Sequence, residues 1–246
     1  MSSDKKQGLG LYDNERYRGH LSLCEIDLPG QRAIAEASVG VVGAGGLGSP
    51  VVLYLAAAGV GRITVVDDDC VELSNLQRQI MHGTPDIGLK KVESARKAVM
   101  RINPEVEIVA VDSRLSYDNG EVLLGGCDVV ADCTDSFTSR LMVSRICARL
   151  GKPMCFGSVG RFSGQLFTQM PGSACFADIF GETPYEETDC SCSATGVLNT
   201  MVGVVGSLQA TEVLKIIAGT GDLLTNRLLM IDALTMTFQT VAVGCD

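Results

Sequence analysis

The stretch VGVVGAGGLGSPVVLYLAAAGVGRITVVDD, Val39 to Asp68, leaves a chain few ways to fold. Val39 to Val42 is a short apolar run ending in Gly43 and reads as a buried parallel strand. Gly43-Ala44-Gly45-Gly46-Leu47-Gly48 has the GxGxxG spacing and opens a helix rich in Ala, Leu and Val, Gly46 to Ala58, which Gly59 and Gly61 stop. A glycine loop between strand and helix allows a tight turn, brings backbone amides close to a phosphate and aims a helix N-terminus at negative charge. Arg62 to Val66 is a second strand, and Asp67 stands at its end, about 20 residues after the loop, where a carboxylate takes ribose hydroxyls. A glycine-rich packing turn without a ligand is the plain alternative. The strand before it, the helix after it and the acid at the right distance weigh against that alternative.

Downstream the same alternation continues. Lys90 to Arg101 has helical spacing and is followed by Pro104. Val106 to Val111, Asp128 to Ala131 and Pro153 to Gly157 read as strands, with helices near Asn119 to Leu124 and Phe137 to Leu150 between them. This β-α-β-α order predicts an α/β, Rossmann-like doubly wound sheet. Gln165 to Gln169, Leu228 to Asp232 and Thr237 to Val243 alternate like antiparallel strands, with an apolar helix, Val197 to Ile217, among them. The expected architecture is one domain over 1–246, its parallel half continued by antiparallel strands. It carries an N-terminal helical arm at 11–36 and a mobile flap at about 172–193, acidic and holding Gly181 and Pro184.

Charge and cysteines narrow the partners. A net charge of −9 with no basic tract argues against nucleic acid or an anionic membrane. The apolar helix at 197–217 contains Asn199, Gln209, Glu212 and Lys215, the mark of a core helix rather than a membrane span. Ten cysteines and an N-terminal stretch without a signal-peptide core imply a cytoplasmic protein, with Cys127, Cys133, Cys147 and Cys155 in its core.

To this point NAD and ATP are equal candidates for the loop. The residues that follow separate them: Asp67-Asp68-Asp69, then Ser74-Asn75-Leu76-Gln77-Arg78-Gln79, then Lys91. A dinucleotide needs no Arg and Lys beyond its ribose-binding acid, whereas a triphosphate gathers charge when its α-phosphorus is attacked. Asp135, in DCTDS after the fourth strand, lies at the carboxyl edge where such sheets bind ligands and is suited to hold Mg²⁺ on phosphates. Taken singly, Arg78 or Lys91 reads as a solvated surface cation; the set reads as a nucleoside triphosphate site.

GAGGLGSPVVLYLAAAGVGRITVVDDDCVELSNLQRQ, IGLKKVESARKAVMRINP, DCTDSFTSR and GVVGSLQATEVLKIIAG together resemble the ThiF/MoeB/HesA group, bacterial relatives of ubiquitin-activating enzymes. The resemblance covers nearly the whole chain. It implies MgATP-dependent adenylation of the C-terminal Gly-Gly of a small ubiquitin-like sulfur carrier, and a homodimer. The matched positions imply phosphate approach at Gly45, with Gly43, Gly46 and Gly48 as the other cofactor-binding glycines of the loop, ribose at Asp67, phosphate contacts at Asp69, Asn75, Arg78 and Lys91, and Mg²⁺ at Asp135. Cys192 matches a cysteine that some members use to take over the activated acyl group, and Cys190 lies two residues away.

Two departures from the group stand out. Its N-terminal Arg-Tyr-x-Arg element, whose second arginine reaches a partner subunit's ATP site, here reads Arg16-Tyr17-Arg18-Gly19, with Arg16 or Arg18 as the available substitute. Its two Cys-x-x-Cys zinc pairs are reduced to Cys175 with Asp178 and to Cys245-Asp246. Two other functions compete: a nicotinamide-dependent oxidoreductase, for which only His20 and His82 offer an imidazole, and a nucleotide-binding scaffold that has lost turnover. Two thiols do not close a tetrahedral structural zinc site, so the purified protein is expected to carry no stoichiometric zinc. Metal analysis after dialysis checks this: about one zinc per chain would overturn it, since structural zinc binds tightly enough to be retained.

Overall fold

Gly43 ends the first strand as expected, and its reach to both neighbouring strands organises the sheet. In a computed structural model that describes residues 15–183 and 196–244, β1 (Ser38–Val42) lies between β2 (Arg62–Asp67) and β4 (Val129–Asp132), parallel to both. With β3 (Glu107–Asp112), β5 (Met154–Gly160), β6 (Ser163–Gln169), β7 (Arg227–Asp232) and β8 (Thr237–Ala242), they form one sheet in the order β3-β2-β1-β4-β5-β6-β7-β8. The strands from β3 to β5 are parallel, and β5 to β8 pair antiparallel, so the doubly wound sheet with an antiparallel continuation is the observed fold. The chain leaves β1 toward β2 on one side and returns to β4 on the other. That makes the carboxyl ends of β1 and β4 the switch point, where a crevice opens.

Helices cover both faces because the parallel strands are apolar on both. Val39 and Val41 join the cluster beneath α2 (Asp27–Glu36), α3 (Gly48–Ala58), α4 (Lys91–Ile102) and α8 (Asn199–Ala218). Val42 joins the opposite cluster beneath α5 (Gly120–Leu124), α6 (Phe137–Leu150) and α7 (Phe176–Phe180). Cys127, Cys133, Cys147 and Cys155 are buried, as their apolar settings predict. One described helix, α8, is long and apolar enough to cross a membrane by length and composition. It packs on α3, β5 and β6, and its buried Gln209 donates to the carbonyls of Asp132 and Cys155 at 2.7 and 2.8 Å.

The N-terminal arm is helical where described: α1 (Arg18–Leu21) and α2 follow Tyr17, whose hydroxyl accepts from Asn103 Nδ2 at 2.8 Å. Gln31 Nε2 donates to the carbonyl of Ala58 at 2.9 Å, tying the arm to the end of α3. The helix read as Gly46 to Ala58 begins at Gly48, because Gly45 and Gly46 remain in the loop that approaches the crevice.

The expected flap differs over its first half. Residues 172–183 are not structureless: Phe176 and Phe180 of α7 enter an aromatic cluster with Phe156 at ring separations of 5.4 and 5.5 Å. Glycines and acids around them hid two core phenylalanines. The remainder of the flap, with Cys190 and Cys192, lies outside the described residues. Removing a fully buried Phe ring costs about 3–5 kcal/mol. Phe176→Ala should lower unfolding stability by that amount in a denaturant melt; a loss under about 1 kcal/mol would show that α7 is peripheral to the core.

Candidate functional site

A cavity of about 370 Å³ opens at the carboxyl ends of β1, β2 and β4. It brings together Gly43, Gly45, Gly46, Asp67, Asp69, Asn75, Arg78, Lys91 and Asp135, all read from the sequence as site residues. Gly48 lies beneath: a Cβ there would sit 2.0 Å from the carbonyl oxygen of Gly43, so its glycine serves close packing of loop on helix. Cys192 lies outside the described residues.

The glycine loop is held from behind. Gly43 has φ +97, a left-handed backbone, and a Cβ on it would meet the Cys133 carbonyl oxygen at 2.8 Å. The Ala44 amide donates to Asp67 Oδ2 at 2.7 Å, while Asp67 Oδ1 accepts from the Asp69 amide at 2.9 Å. Each carboxylate oxygen keeps further acceptor capacity, so these bonds leave room for a ribose hydroxyl. Among the described residues the amides of Gly45 and Gly46 donate to no protein group. Two unpaired amides just before a helix N-terminus suit a phosphate oxygen.

Cations stand opposite. Lys91 is the first residue of α4, buried, with its ammonium 2.6 Å from the exposed carboxylate of Asp69. Arg78 Nη1 donates to the Ser74 carbonyl at 3.1 Å, across one turn of the segment that also buries Asn75. Asn75 Oδ1 accepts from the Glu72 amide at 3.1 Å, which fixes that turn. Asp135 is exposed and, among the described residues, its carboxylate has no hydrogen-bond or ion-pair partner. One free carboxylate at the phosphate end fits Mg²⁺, which takes few protein ligands beside substrate phosphates.

Several wall residues were not singled out from the sequence. Gln79 is buried with its Oε1 unpartnered among the described residues. It belongs to the SNLQRQ run, so the motif was the available signal. Ser113, Arg114 and Leu115 follow β3, and their place in the wall depends on strand order, which local sequence does not carry. Arg140 donates from Nε to the Thr134 carbonyl at 3.3 Å and lies over the Phe156 ring at 5.5 Å. His82 is buried with both ring nitrogens engaged, 2.8 Å from the Ala44 carbonyl and 2.8 Å from Ser94 Oγ. Neither it nor His20, whose Nδ1 is 2.9 Å from Gln31 Oε1, stands where a hydride-transfer acid is required.

Behind the Asp135 loop lies Asp132, fully buried at the end of β4. Its Oδ1 accepts from the Thr134 amide and hydroxyl at 3.0 and 2.8 Å, and its Oδ2 is unpartnered among the described residues. Burial pushes this carboxyl up to about 6, against the pull of the Arg140 guanidinium. Cys175 and Asp178 stand apart from the site: Asp178 Oδ2 accepts from the Cys175 amide at 2.7 Å and caps α7.

The ThiF family model matches residues 17–245. The chain belongs to the ThiF family. It is 43% identical over 227 residues to the SAMP-activating enzyme E1 of Haloferax volcanii, covering 92% of this chain and 84% of that one. It is 40% identical over 236 residues to the probable adenylyltransferase/sulfurtransferase MoeZ of Mycobacterium tuberculosis, covering 94% of this chain and 60% of the relative. With the adenylyltransferase and sulfurtransferase MOCS3 of Bos taurus the identity is 45% over 237 residues, covering 96% of this chain and 52% of the relative. The chain thus spans only about half to three-fifths of the last two. Among solved structures, E. coli MccB with ATP shares the fold, with a TM-score of 0.76 at 21% identity, over 88% of this chain and 66% of that one.

Asp132 makes a pH-dependent prediction. Its folded value is raised from 3.8 to about 6, so its contribution to stability is fully present below the unfolded value and is lost as pH rises through about 6. Asp132→Asn keeps the acceptor for Thr134 and removes the charge. Its stability relative to wild type should therefore climb between pH 4 and pH 7, by up to about 3 kcal/mol. Denaturant melts across that range test it; a pH-independent difference would show that the carboxyl ionises alike in folded and unfolded chains.

Proposed function

We propose that this chain is an ATP-dependent adenylyltransferase that activates the C-terminal glycine of a small ubiquitin-like sulfur carrier ending in Gly-Gly. The observation that carries this reading is one cavity lined by two unpaired loop amides, Arg78, Lys91 and Asp135. The activity agrees with that named for its relatives, MoeZ and MOCS3 among them. Sulfur transfer in thiamine, molybdopterin or related cofactor synthesis is the pathway class this implies. A homodimer and a cytoplasmic location belong to the same proposal, the latter supported by described cysteines that are all free thiols.

In this reaction the carrier's terminal carboxylate, already ionised at pH 7, attacks the α-phosphorus of ATP. A carboxylate oxygen–phosphorus bond forms, the bond from that phosphorus to the bridging oxygen breaks, and pyrophosphate leaves with the electron pair. The Gly45 and Gly46 amides hold phosphate oxygens, and Asp67 holds the ribose. Arg78 and Lys91 stabilise the charge that builds on the departing phosphates. Asp69, 2.6 Å from the Lys91 ammonium, orients it in the buried wall. Asp135 would hold Mg²⁺, which would supply further charge neutralisation on the phosphate oxygens. No general base is needed.

Between the two substitutes for the arginine missing at Gly19, Arg18 is the better supported. Arg16 is engaged within its own chain, donating from Nη1 to the Ile102 carbonyl at 2.9 Å, whereas Arg18 is exposed. The oxidoreductase alternative lacks a placed imidazole, as the bonding of His82 and His20 indicates. A scaffold without turnover is separated from an enzyme by the assay that tests the proposal. Wild type should release pyrophosphate when given ATP, Mg²⁺ and a Gly-Gly-ended carrier, and Lys91→Ala or Asp135→Asn should lower ATP–pyrophosphate exchange about 100-fold or more. Near-normal exchange in Asp135→Asn would remove that carboxylate from the mechanism, and absent wild-type release would leave the scaffold reading.

Cys192 is assigned a role after adenylation, because a mixed anhydride forms from carboxylate and ATP without a thiol. Its thiolate would attack the acyl carbonyl and release AMP. Cys192→Ala should keep pyrophosphate release, and a thiol-sensitive carrier adduct seen by intact-protein mass spectrometry should vanish when Cys190 is replaced as well. Loss of pyrophosphate release in the single variant, or persistence of the adduct in the double variant, would show the assignment to be wrong.

A further inference from the structure

The deepest polar contact behind the glycine loop is made by His82, a residue outside every motif role assigned above. Its Nε2 lies 2.8 Å from the carbonyl oxygen of Ala44. A carbonyl only accepts, so Nε2 carries the ring proton. In the neutral ring Nδ1 then accepts from the Ser94 hydroxyl, 2.8 Å away. Burial holds the imidazole below its ordinary pKa, in keeping with a neutral ring at pH 7.

The consequence follows from the planarity of one peptide group. The Ala44 carbonyl and the Gly45 amide belong to the same trans peptide, so their C=O and N–H bonds point in opposite directions. No cis peptide bond occurs among the described residues. With the carbonyl turned into the protein toward His82, the Gly45 N–H is turned away from it. Gly45 lines the cavity, and its amide donates to no protein group among the described residues. The preceding peptide is fixed as well, because the Ala44 amide donates to Asp67 Oδ2 at 2.7 Å. Gly45 itself carries no side chain to hold this orientation. Without the donor at His82, no protein group among the described residues would hold the Ala44 carbonyl.

The other side of the ring reaches α4. Ser94 stands three residues after Lys91, on the same face of that helix and one turn along. The His82 amide donates to the Gln79 carbonyl at 3.0 Å, which ties the ring's own backbone to the segment carrying Asn75 and Arg78. Three separate stretches therefore meet at one residue, two of them at its imidazole and one at its backbone amide.

We propose that His82 is a positioning residue for phosphate recognition: by holding the Ala44 carbonyl it aims the Gly45 N–H into the site and keeps that loop in register with the helix bearing Lys91. The inference rests on the adenylation reading, since it presumes that the cavity takes a nucleotide phosphate.

Calorimetric titration of the full chain with ATP, AMP and adenosine tests it, using wild type, His82→Gln, His82→Asn and His82→Leu. Glutamine extends an amide donor to about the place of Nε2, whereas asparagine reaches only the place of Nδ1. The expected result is about 10-fold or greater weakening of ATP and AMP in the Leu and Asn variants. Adenosine affinity should stay within about twofold of wild type in all of them, and phosphate-dependent affinity should be largely rescued in His82→Gln. A merely structural histidine would weaken adenosine together with the phosphorylated ligands, or would be served equally by Gln and Asn. Either pattern overturns the inference. If His82→Leu does not fold, the Gln–Asn comparison decides alone. A wild-type protein that binds neither ATP nor AMP would overturn the adenylation reading, and the inference with it.

Discussion

The turn after β1 approaches β4 so closely that only glycine fits, and the shape of the cavity at the carboxyl ends of the strands depends on that approach. The Gly43 amide donates to the Val66 carbonyl of β2 at 2.9 Å, and the Cys133 amide donates to the Val42 carbonyl at 2.8 Å, so the turn is sewn to both neighbouring strands. A Cβ at position 43 would press on the Cys133 carbonyl, and one at position 48 would overlap the Gly43 carbonyl. Either substitution would push the loop outward and carry the Gly45 and Gly46 amides away from the wall that holds Asp135. The loop, Asp67 and Asp135 are thus parts of one rigid crossing of three strand ends.

Charge in the cavity is balanced before any nucleotide arrives. Lys91 is buried, and a buried ammonium without a partner is costly, so Asp69 answers it at 2.6 Å. Asp69 remains largely exposed, which lets the pair open toward an incoming phosphate at small cost. Asp132 is the reverse case. It is fully buried with one oxygen unpartnered among the described residues, and its carboxyl is correspondingly hard to ionise. Its other oxygen closes the turn that projects Asp135. The carboxyl that is hard to ionise is therefore the support of an exposed one.

The legible part of this molecule was the part whose chemistry is local. A strand, glycine loop, helix and acid at fixed offsets can be read in order along Val39 to Asp67, and the SNLQRQ run, Lys91 and Asp135 carry their charges on their face. Gly43, Gly45, Gly46, Asp67, Asp69, Asn75, Arg78, Lys91 and Asp135 line one cavity. What escaped was set by tertiary placement. Phe176 and Phe180 sit among glycines and acids, so no periodicity announces that they fill a gap between β5 and α6. Ser113 to Leu115 reach the wall because β3 pairs on the far side of β2, a fact of strand order. His82 resembles an incidental core histidine in the sequence, because the partner that gives it meaning is a backbone carbonyl 38 residues earlier.

Gln209 shows how the apolar half of the fold is joined to the polar one. It is fully buried in α8, where an unsatisfied amide would be destabilising, yet its Nε2 donates to two carbonyls on adjacent strands, Asp132 of β4 and Cys155 of β5. Its Oε1 lies 3.6 Å from Cys133 Sγ, within reach of a weak thiol donor. Gly157 makes room for this side chain, since a Cβ there would stand 2.7 Å from Oε1. The Asp132 carbonyl ends β4, just before the turn that carries Thr134 and Asp135, and Cys155 stands beside it on β5, opposite Ala131. A leucine at 209 would fill similar space but leave both carbonyls without this donor, so packing alone does not account for an amide at this position. The residue directs its hydrogen bonds to the end of β4 nearest the site and to β5 beside it, and α8 also packs on the helix opened by the glycine loop, so one helix contacts both sides of the crevice.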